Sequence, residues 1–238
     1  IDKRSSLGGT CLNVGCIPSK ALLQSSEKFE EANHALAVHG IKAGKIEFEL
    51  PTMLARKDEV VSANTKGVEF LFRKNKVAFV KGAATFTAKD ALAVTGEDGK
   101  TQELKAAKAI IIATGSDSVS LPGIAIDEKT IVSSTGALAL PSVPKHLVVV
   151  GGGYIGLELG SVWKRLGSQV TVVEFLDRIT PTMDAEVGKA LQASLTKQGF
   201  AFKLGTKVTG AKKGKGGGIT LSLDSAAGGK PEELACDV

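Results

Sequence analysis

Leu147-Val148-Val149-Val150-Gly151-Gly152-Gly153-Tyr154-Ile155-Gly156 passes from an apolar run into a glycine turn and then into a segment with helical patterning. Four consecutive aliphatic residues read as an apolar strand. Residues 151–156 match G-x-G-x-x-G. Glycine triplets are common in loops, so the setting carries the argument: the motif follows a strand and opens a helix. Gly151 then makes the tight turn, Gly153 lets the backbone approach a pyrophosphate, and Gly156 lets helix pack on strand. Gly152, Tyr154, Ile155 and Leu157 complete the same turn, whose helix N-terminus offers free N–H groups and a positive dipole end to phosphates.

A helix over Tyr154 to Leu166 and a strand over Gln169 to Glu174 follow, half of a doubly wound α/β domain. Glu174 stands about twenty residues beyond the glycines, where a carboxylate accepts hydrogen bonds from the ribose 2′ and 3′ hydroxyls. A 2′-phosphate would be repelled there, which favours NAD over NADP; Arg178 is the one residue that argues otherwise. The competing interpretation, a glycine turn with no ligand, leaves strand, turn, helix, strand and terminal acid in register by chance.

Working outward, the segment from Thr10 to about Ala37 opens with a Gly- and Cys-rich turn and continues as a helix, with Pro18 tolerated in the first turn. A second helix is predicted from after Pro51 towards Lys74. Val77 to Phe86, Ala91 to Thr95 and Thr101 to Leu104 read as antiparallel strands, the last two joined by a turn at Glu97-Asp98-Gly99-Lys100. Ala109 to Ala113 reads as a strand buried on both faces. A loose stretch over 116–144 marks the domain boundary. Beyond the fingerprint come a helix from about Asp184 to Gln198, several short strands, a hairpin loop at Gly214 to Gly218 and a strand beginning near Cys236. The fold class expected is α/β, with two tandem doubly wound, Rossmann-like domains and a small antiparallel β insert, divided into residues 1–142 and 143–238.

The 238 residues are 43% hydrophobic, enough apolar surface for real cores. A net charge of +5 comes from 30 basic against 25 acidic residues scattered along the chain, and only Lys212, Lys213 and Lys215 cluster. Steering towards nucleic acid or a membrane needs a coherent patch, so neither partner is expected. No apolar run reaches the roughly 18 residues that span a bilayer. Ile1-Asp2-Lys3-Arg4 does not read as a signal or transit peptide, so an intracellular or already processed chain is expected.

Gly8-Gly9-Thr10-Cys11-Leu12-Asn13-Val14-Gly15-Cys16-Ile17-Pro18-Ser19-Lys20 sets two cysteines, four residues apart, at the start of a helix. A helix N-terminus favours thiolate, which speeds exchange. A disulfide over so short a loop restricts the unfolded chain little, so it suits opening and reclosing better than a structural role. A metal site would want further Cys or His at usual spacings, which His34, His39 and His146 do not provide, and two inert core thiols are the other alternative. Cys236 reads as a core residue, and no metal is expected.

The run from Gly8 to Lys20 resembles the redox-active signature of the class I pyridine nucleotide-disulfide oxidoreductases, and Leu12, Ile17 and Ser19 are similar to the dihydrolipoamide dehydrogenases among them. Glutathione and trypanothione reductases usually carry Val and Lys at corresponding places. The resemblance extends through Ile112-Ala113-Thr114-Gly115-Ser116 and Ser133-Ser134-Thr135-Gly136-Ala137-Leu138 to Gly156-Leu157-Glu158-Leu159-Gly160-Ser161-Val162-Trp163. It implies an oxidoreductase that oxidises dihydrolipoamide, carried on lipoyl domains of 2-oxoacid dehydrogenase complexes, through a redox-active disulfide and FAD, reducing NAD. It further implies a homodimer in the mitochondrial matrix or the bacterial cytoplasm. The alternatives are an NADPH disulfide reductase such as glutathione reductase, and a non-catalytic nucleotide-binding fragment.

Residue by residue, the resemblance makes Cys11 the interchange thiol, Cys16 the thiol against the flavin, Lys20 the lysine near the flavin and Glu158 its acidic partner, a pair whose burial would tune the flavin. Asp2 stands where the family has an acid, usually Glu, that holds the FAD ribose. Gly9, Thr10 and Cys11 imply backbone contacts to flavin, Thr114, Gly115 and Ser116 line the same cofactor, Ala84 replaces a frequent glycine near the adenine, and Val208 matches a backbone contact to the NAD adenine. The family's own N-terminal G-x-G-x-x-G, its later G-D motif and its C-terminal dimerisation domain are not among these residues. Nor is its H-x-x-x-x-E pair: five residues beyond His34, His39 and His146 stand His39, Gly44 and Gly151. The resemblance thus implies an FAD-binding domain over residues 1–142, lacking its N-terminal part, and an NAD-binding domain over 143–238, lacking its C-terminal part, so the chain is expected to be truncated at both ends and, alone, to be inactive.

Overall fold

A computed structural model describes residues 1–214 and 217–238. The chain divides into two compact units, one of residues 1–18 and 58–117, the other of residues 19–57 and 118–238. Two of the three divisions fall inside helices and the third in an irregular stretch, and neither unit is continuous in sequence.

In the first unit, helix α1 (Gly9–Val14) ends at Gly15, and α2 (Cys16–His34) begins immediately afterwards. The expected helix with Pro18 in its first turn is α2, while the expected Gly- and Cys-rich opening turn itself contains the short α1, closed at Gly15 between the cysteines. A Cβ at Gly15 would lie 3.0 Å from the Thr10 carbonyl oxygen and 3.1 Å from Cys11 Cα, so the chain doubles back there on glycine alone. Helix α3 (Leu50–Lys74) ends where predicted but begins before Pro51, which its first turn accommodates. Strands β1 (Ala83–Ala88), β2 (Ala91–Thr95) and β3 (Thr101–Lys105) form an antiparallel meander in that order. Its second turn has the expected chemistry: the Gly96 N–H donates to the Lys100 carbonyl at 2.9 Å, and Gly99 takes φ 76°.

Two strand expectations fail here. Residues 77–82 do not join β1; Lys81 makes only an isolated parallel bridge with Asp2. Gly82 turns the chain away at φ 155°, against Thr95, where any Cβ would sit 2.6 Å from a carbonyl oxygen. The run from Ala109 to Ala113 carries no strand either, and Ile111 and Ile112 are 88% and 72% exposed. Apolar residues become a buried strand only where neighbours complete the ladder, and among the described residues none pairs with this run.

The second unit holds a parallel sheet of β4 (His146–Val150), β5 (Gln169–Val173) and β6 (Phe200–Lys203), in sequence order. Helix α5 (Tyr154–Arg165) connects the first two strands and α6 (Ala185–Lys197) the next two. A short α4 (Ser134–Ala137) precedes them, capped by the Ser133 hydroxyl accepting from the Thr135 N–H. Trp163 is fully buried on α5, its indole N–H donating to the Ala137 carbonyl at 3.0 Å, amid Val162, Val170, Phe200 and Leu22. That hydrogen bond lets an aromatic of this size sit in the core without stranding its N–H. The antiparallel sheet β7 (Thr206–Lys213), β8 (Ile219–Ser225) and β9 (Glu232–Cys236) packs Ile219, Leu221 and Leu223 against Val148 and Val173. Cys236 is buried in that cluster, as read from sequence, and burial with the neighbouring Asp237 charge pushes its thiol up to about 11. The expected strand near Cys236 proves to be the end of β9, after which Asp237 and Val238 exchange hydrogen bonds with His146 and Val148. Of the predicted loop between β7 and β8, Lys215 and Gly216 lie outside the described residues; the Gly214 N–H donates to the Gly218 carbonyl at 2.8 Å.

The predicted loose stretch lacks regular structure apart from α4, yet it is tethered. Asp127 accepts backbone N–H groups of Lys129, Thr130 and Ile131 and pairs with Lys213 of β7, which together hold its carboxyl well below the usual range.

Candidate dinucleotide and redox sites

The glycine loop lies between the end of β4 and the start of α5. Gly151 takes φ 105°, the left-handed region that a β-carbon opposes, and its N–H donates to the Val173 carbonyl at 2.8 Å. A Cβ on Gly156 would fall 2.6 Å from Val149 Cγ1, so the helix approaches the strand as closely as the motif requires. A Cβ on Gly153 would meet nothing within 4 Å: this glycine borders open space where a ligand backbone contact would be made. Gly153 caps α5 with extended geometry and no side-chain acceptor, leaving first-turn N–H groups for an anion. Beside the loop Tyr154 and Ile155 are exposed, Leu157 is buried in the core, and Val208 of β7 packs partly buried at a local irregularity of register. Loop, exposed apolar rim and adjacent acid fit a dinucleotide at the carboxyl end of a parallel sheet.

Glu174 follows β5 and is nearly buried. Its Oε2 accepts the Gly152 N–H at 2.6 Å and its Oε1 the Leu176 N–H at 2.8 Å. Each oxygen keeps a second lone pair for a ribose hydroxyl. Arg178 points its guanidinium to the Pro181 carbonyl at 3.2 Å.

The cysteines flank the Gly15 break, Cys11 in α1 and Cys16 as the first residue of α2, and both are exposed. Asn13 between them ties the loop down, its amide donating to the carbonyls of Leu7 at 3.0 Å and Gly9 at 2.9 Å. The flavin-assigned residues of the first unit converge on Thr10. Its hydroxyl donates to the Ser116 carbonyl at 3.1 Å and accepts from Arg4 at 3.3 Å, and Gly115, at φ 77°, lies beside it. Asp2 accepts the Arg4 N–H at 2.9 Å, and Arg4 also faces Asp117 at 3.7 Å. Thr114 belongs to the same segment, whereas Ala84 is exposed on β1, opposite Val94. An acid, an arginine and a glycine bend gathered round one hydroxyl fit a phosphate- and ribose-bearing cofactor.

In the second unit Lys20 meets Glu158, its ammonium 2.7 Å from both carboxylate oxygens, with Ser19 at 3.4 Å. The resemblance implied a buried pair, but the side chains are 58% and 33% exposed. Arg4, Asn13, Asp117 and Thr180 escaped the sequence reading. Asn13 lies within the cysteine motif and was legible there, while the others acquire meaning only through contacts. Among the described residues no cluster of metal-ligating side chains occurs.

The chain belongs to the pyridine nucleotide-disulphide oxidoreductase family, which it matches over residues 2–238. It is 59% identical over its whole length to a leghemoglobin reductase of Vigna unguiculata, covering 45% of that protein. Over the same 238 residues it is 56% identical to a mitochondrial dihydrolipoyl dehydrogenase of Pisum sativum, covering 47% of it. The crystal structure of LpdA from Mycobacterium tuberculosis superposes with a TM-score of 0.84 at 23% identity, over 99% of this chain and 50% of that one. The chain thus spans about half the length of the relatives it matches.

Proposed function

We propose that this chain is the redox and dinucleotide-binding portion of an NAD-dependent dihydrolipoyl dehydrogenase. The observation that carries the reading is the exposed Cys11–Cys16 pair around the Gly15 break, at the head of α2, in the same chain as an NAD-type glycine loop. The domains are residues 1–142 for FAD and 143–238 for NAD. The cofactors are FAD and NAD, the former held by Asp2, Gly9, Thr10, Thr114, Gly115 and Ser116, with Ala84 near the adenine. The loop from Gly151 to Leu157 receives the pyrophosphate of the latter on its free N–H groups, with Glu174 on its ribose and Val208 at the adenine.

In the oxidised protein Cys11 and Cys16 form a disulfide. A thiolate of the dihydrolipoyl substrate attacks Cys11 Sγ, forming a mixed disulfide and releasing Cys16 as thiolate. The second substrate thiol then displaces Cys11, which leaves as thiol, and the lipoyl disulfide closes. Bound FAD supplies the two-electron relay from the reduced cysteine pair to NAD. By the resemblance, Lys20 and Glu158 would form a charge pair that tunes the flavin, and the deprotonation of substrate thiols requires a base from outside these residues. The protein serves lipoyl domains of 2-oxoacid dehydrogenase complexes as a homodimer in the mitochondrial matrix, a location favoured by its similarity to a mitochondrial dihydrolipoyl dehydrogenase.

The relative named a leghemoglobin reductase motivates a second reading, in which electrons leave towards leghemoglobin. Reduction of NAD by dihydrolipoamide, assayed with the protein from its native source beside Cys11→Ser and Cys16→Ser, tests the first reading. Activity lost in both variants is expected. An intact, flavin-loaded protein that ignores dihydrolipoamide yet reduces leghemoglobin would replace the first reading with the second.

A further inference from the structure

Two groups grip Gly152 from opposite sides. Its N–H donates to Glu174 Oε2 at 2.6 Å, and its carbonyl accepts the Thr180 N–H at 2.8 Å. There is little room to slip, since a Cβ on Gly152 would lie 3.0 Å from Ile179 Cγ2 and 3.3 Å from Glu174 Cγ. The N–H of Gly151 is likewise consumed, by Val173. Peptides here are trans, so a carbonyl turned towards Thr180 turns the following N–H, that of Gly153, away from it. The first donors left for a ligand are therefore those of Gly153, Tyr154 and Ile155.

Thr180 holds its place under strain. It is β-branched at φ 45° and precedes proline, two circumstances that disfavour that conformation. Its side chain is 3% exposed, and its hydroxyl has no hydrogen-bond partner among the described residues. A Cβ at Gly188 would come within 3.1 Å of that hydroxyl, so α6 closes over it on a glycine. Strain and an unsatisfied buried hydroxyl persist where the surroundings over-determine a geometry, a pattern concentrated at ligand clamps.

We propose that Glu174 and Thr180 are positioning residues for the dinucleotide pyrophosphate: they clamp the peptides on either side of Gly152 and so aim the N–H groups of Gly153, Tyr154 and Ile155. The inference rests on the nucleotide reading above and gives Glu174 a role separate from any ribose contact. The two roles predict opposite signs. If Glu174 served only the ribose, its removal would leave a ligand without ribose hydroxyls unaffected, or bound more tightly through loss of a negative charge near the pyrophosphate. If it clamps the loop, that ligand binds more weakly.

ADP and 2′,3′-dideoxy-ADP are the probes, titrated calorimetrically against the protein at its native length. Wild type is compared with Glu174→Ala, Glu174→Gln and Thr180→Gly, each checked for a cooperative melt. Losing a charge-assisted hydrogen bond that orders the loop is expected to weaken dideoxy-ADP on the order of tenfold in Glu174→Ala. Smaller losses are expected in Thr180→Gly, which releases the left-handed peptide, and in Glu174→Gln, which keeps one acceptor and carries the test should the alanine variant not fold. Dideoxy-ADP binding that is unchanged or tighter in the folded Glu174 variants, or unchanged in Thr180→Gly, would overturn the clamp. So would a wild type that binds ADP but not its dideoxy analogue, while a wild type that binds neither would overturn the nucleotide reading itself.

Discussion

Replacing Gly156 by alanine should damage stability and cofactor binding by separable routes. The new Cβ would lie 2.6 Å from Val149 Cγ1 and 3.1 Å from the Gly151 carbonyl oxygen. Overpacking of this kind costs about 1–3 kcal/mol. Alanine recovers up to about 1 kcal/mol of helix propensity, which leaves a net loss of up to about 2 kcal/mol. For a protein of this size that lowers Tm by up to about 8 °C. The contact with Val149 is with a side chain and can be removed: Val149→Ala should couple favourably with Gly156→Ala, by about 0.5–3 kcal/mol in a double-mutant cycle. The contact with Gly151 is with backbone and stays. NADH affinity, expected to fall about tenfold as the loop donors move, should therefore remain low in the double variant although its melting temperature recovers. Thermal denaturation followed by circular dichroism, with NADH fluorescence titration, reads both effects. A Gly156→Ala protein that melts and binds as wild type, or a cycle with no coupling, would refute the close helix–strand packing from which the numbers come.

Trp163→Phe keeps most of the apolar volume but leaves the Ala137 carbonyl without its donor; urea denaturation should show a loss of about 1–3 kcal/mol. For the exposed Lys20–Glu158 pair, Glu158→Gln should change global stability by less than about 1 kcal/mol, so a larger loss in the same assay would mean the pair is more buried in the working protein than in this chain. Cys236 provides a pH test. Its thiol is raised from 9.0 to about 11 by burial and by Asp237. The fold favours the protonated form, so this contribution is fully present below pH 9.0 and is lost as pH rises through about 11. Stability measured across that window should fall more steeply in wild type than in Cys236→Ala, and parallel curves would contradict the assignment.

Much of this molecule was legible because its strongest signals are local. Gly151 to Gly156 and Glu174 declare a strand, turn, helix and strand through spacing alone, since backbone conformation there admits little but glycine. The Cys11–Cys16 motif is likewise local, and it resembles the family to which the chain belongs, while the helix and strand limits around residues 146–198 follow from apolar periodicity and flanking turns. What periodicity cannot supply is a partner. Ala109 to Ala113 has the composition of a buried strand, but a strand exists only in a ladder, and among the described residues nothing pairs with it. The double-back at Gly15 depended on a steric contact with Thr10 and Cys11 rather than on any helix-breaking residue type, since glycine is tolerated within helices. Arg4 and Asp117 gain significance only because folding brings positions over a hundred residues apart to one hydroxyl. Glu174 marks the division most clearly: its identity and place at a strand end were set by sequence, whereas its bond to Gly152, and the strained Thr180 on the other side of that glycine, were decided by tertiary structure, because hydrogen bonds between distant segments form only once the chain has closed around them.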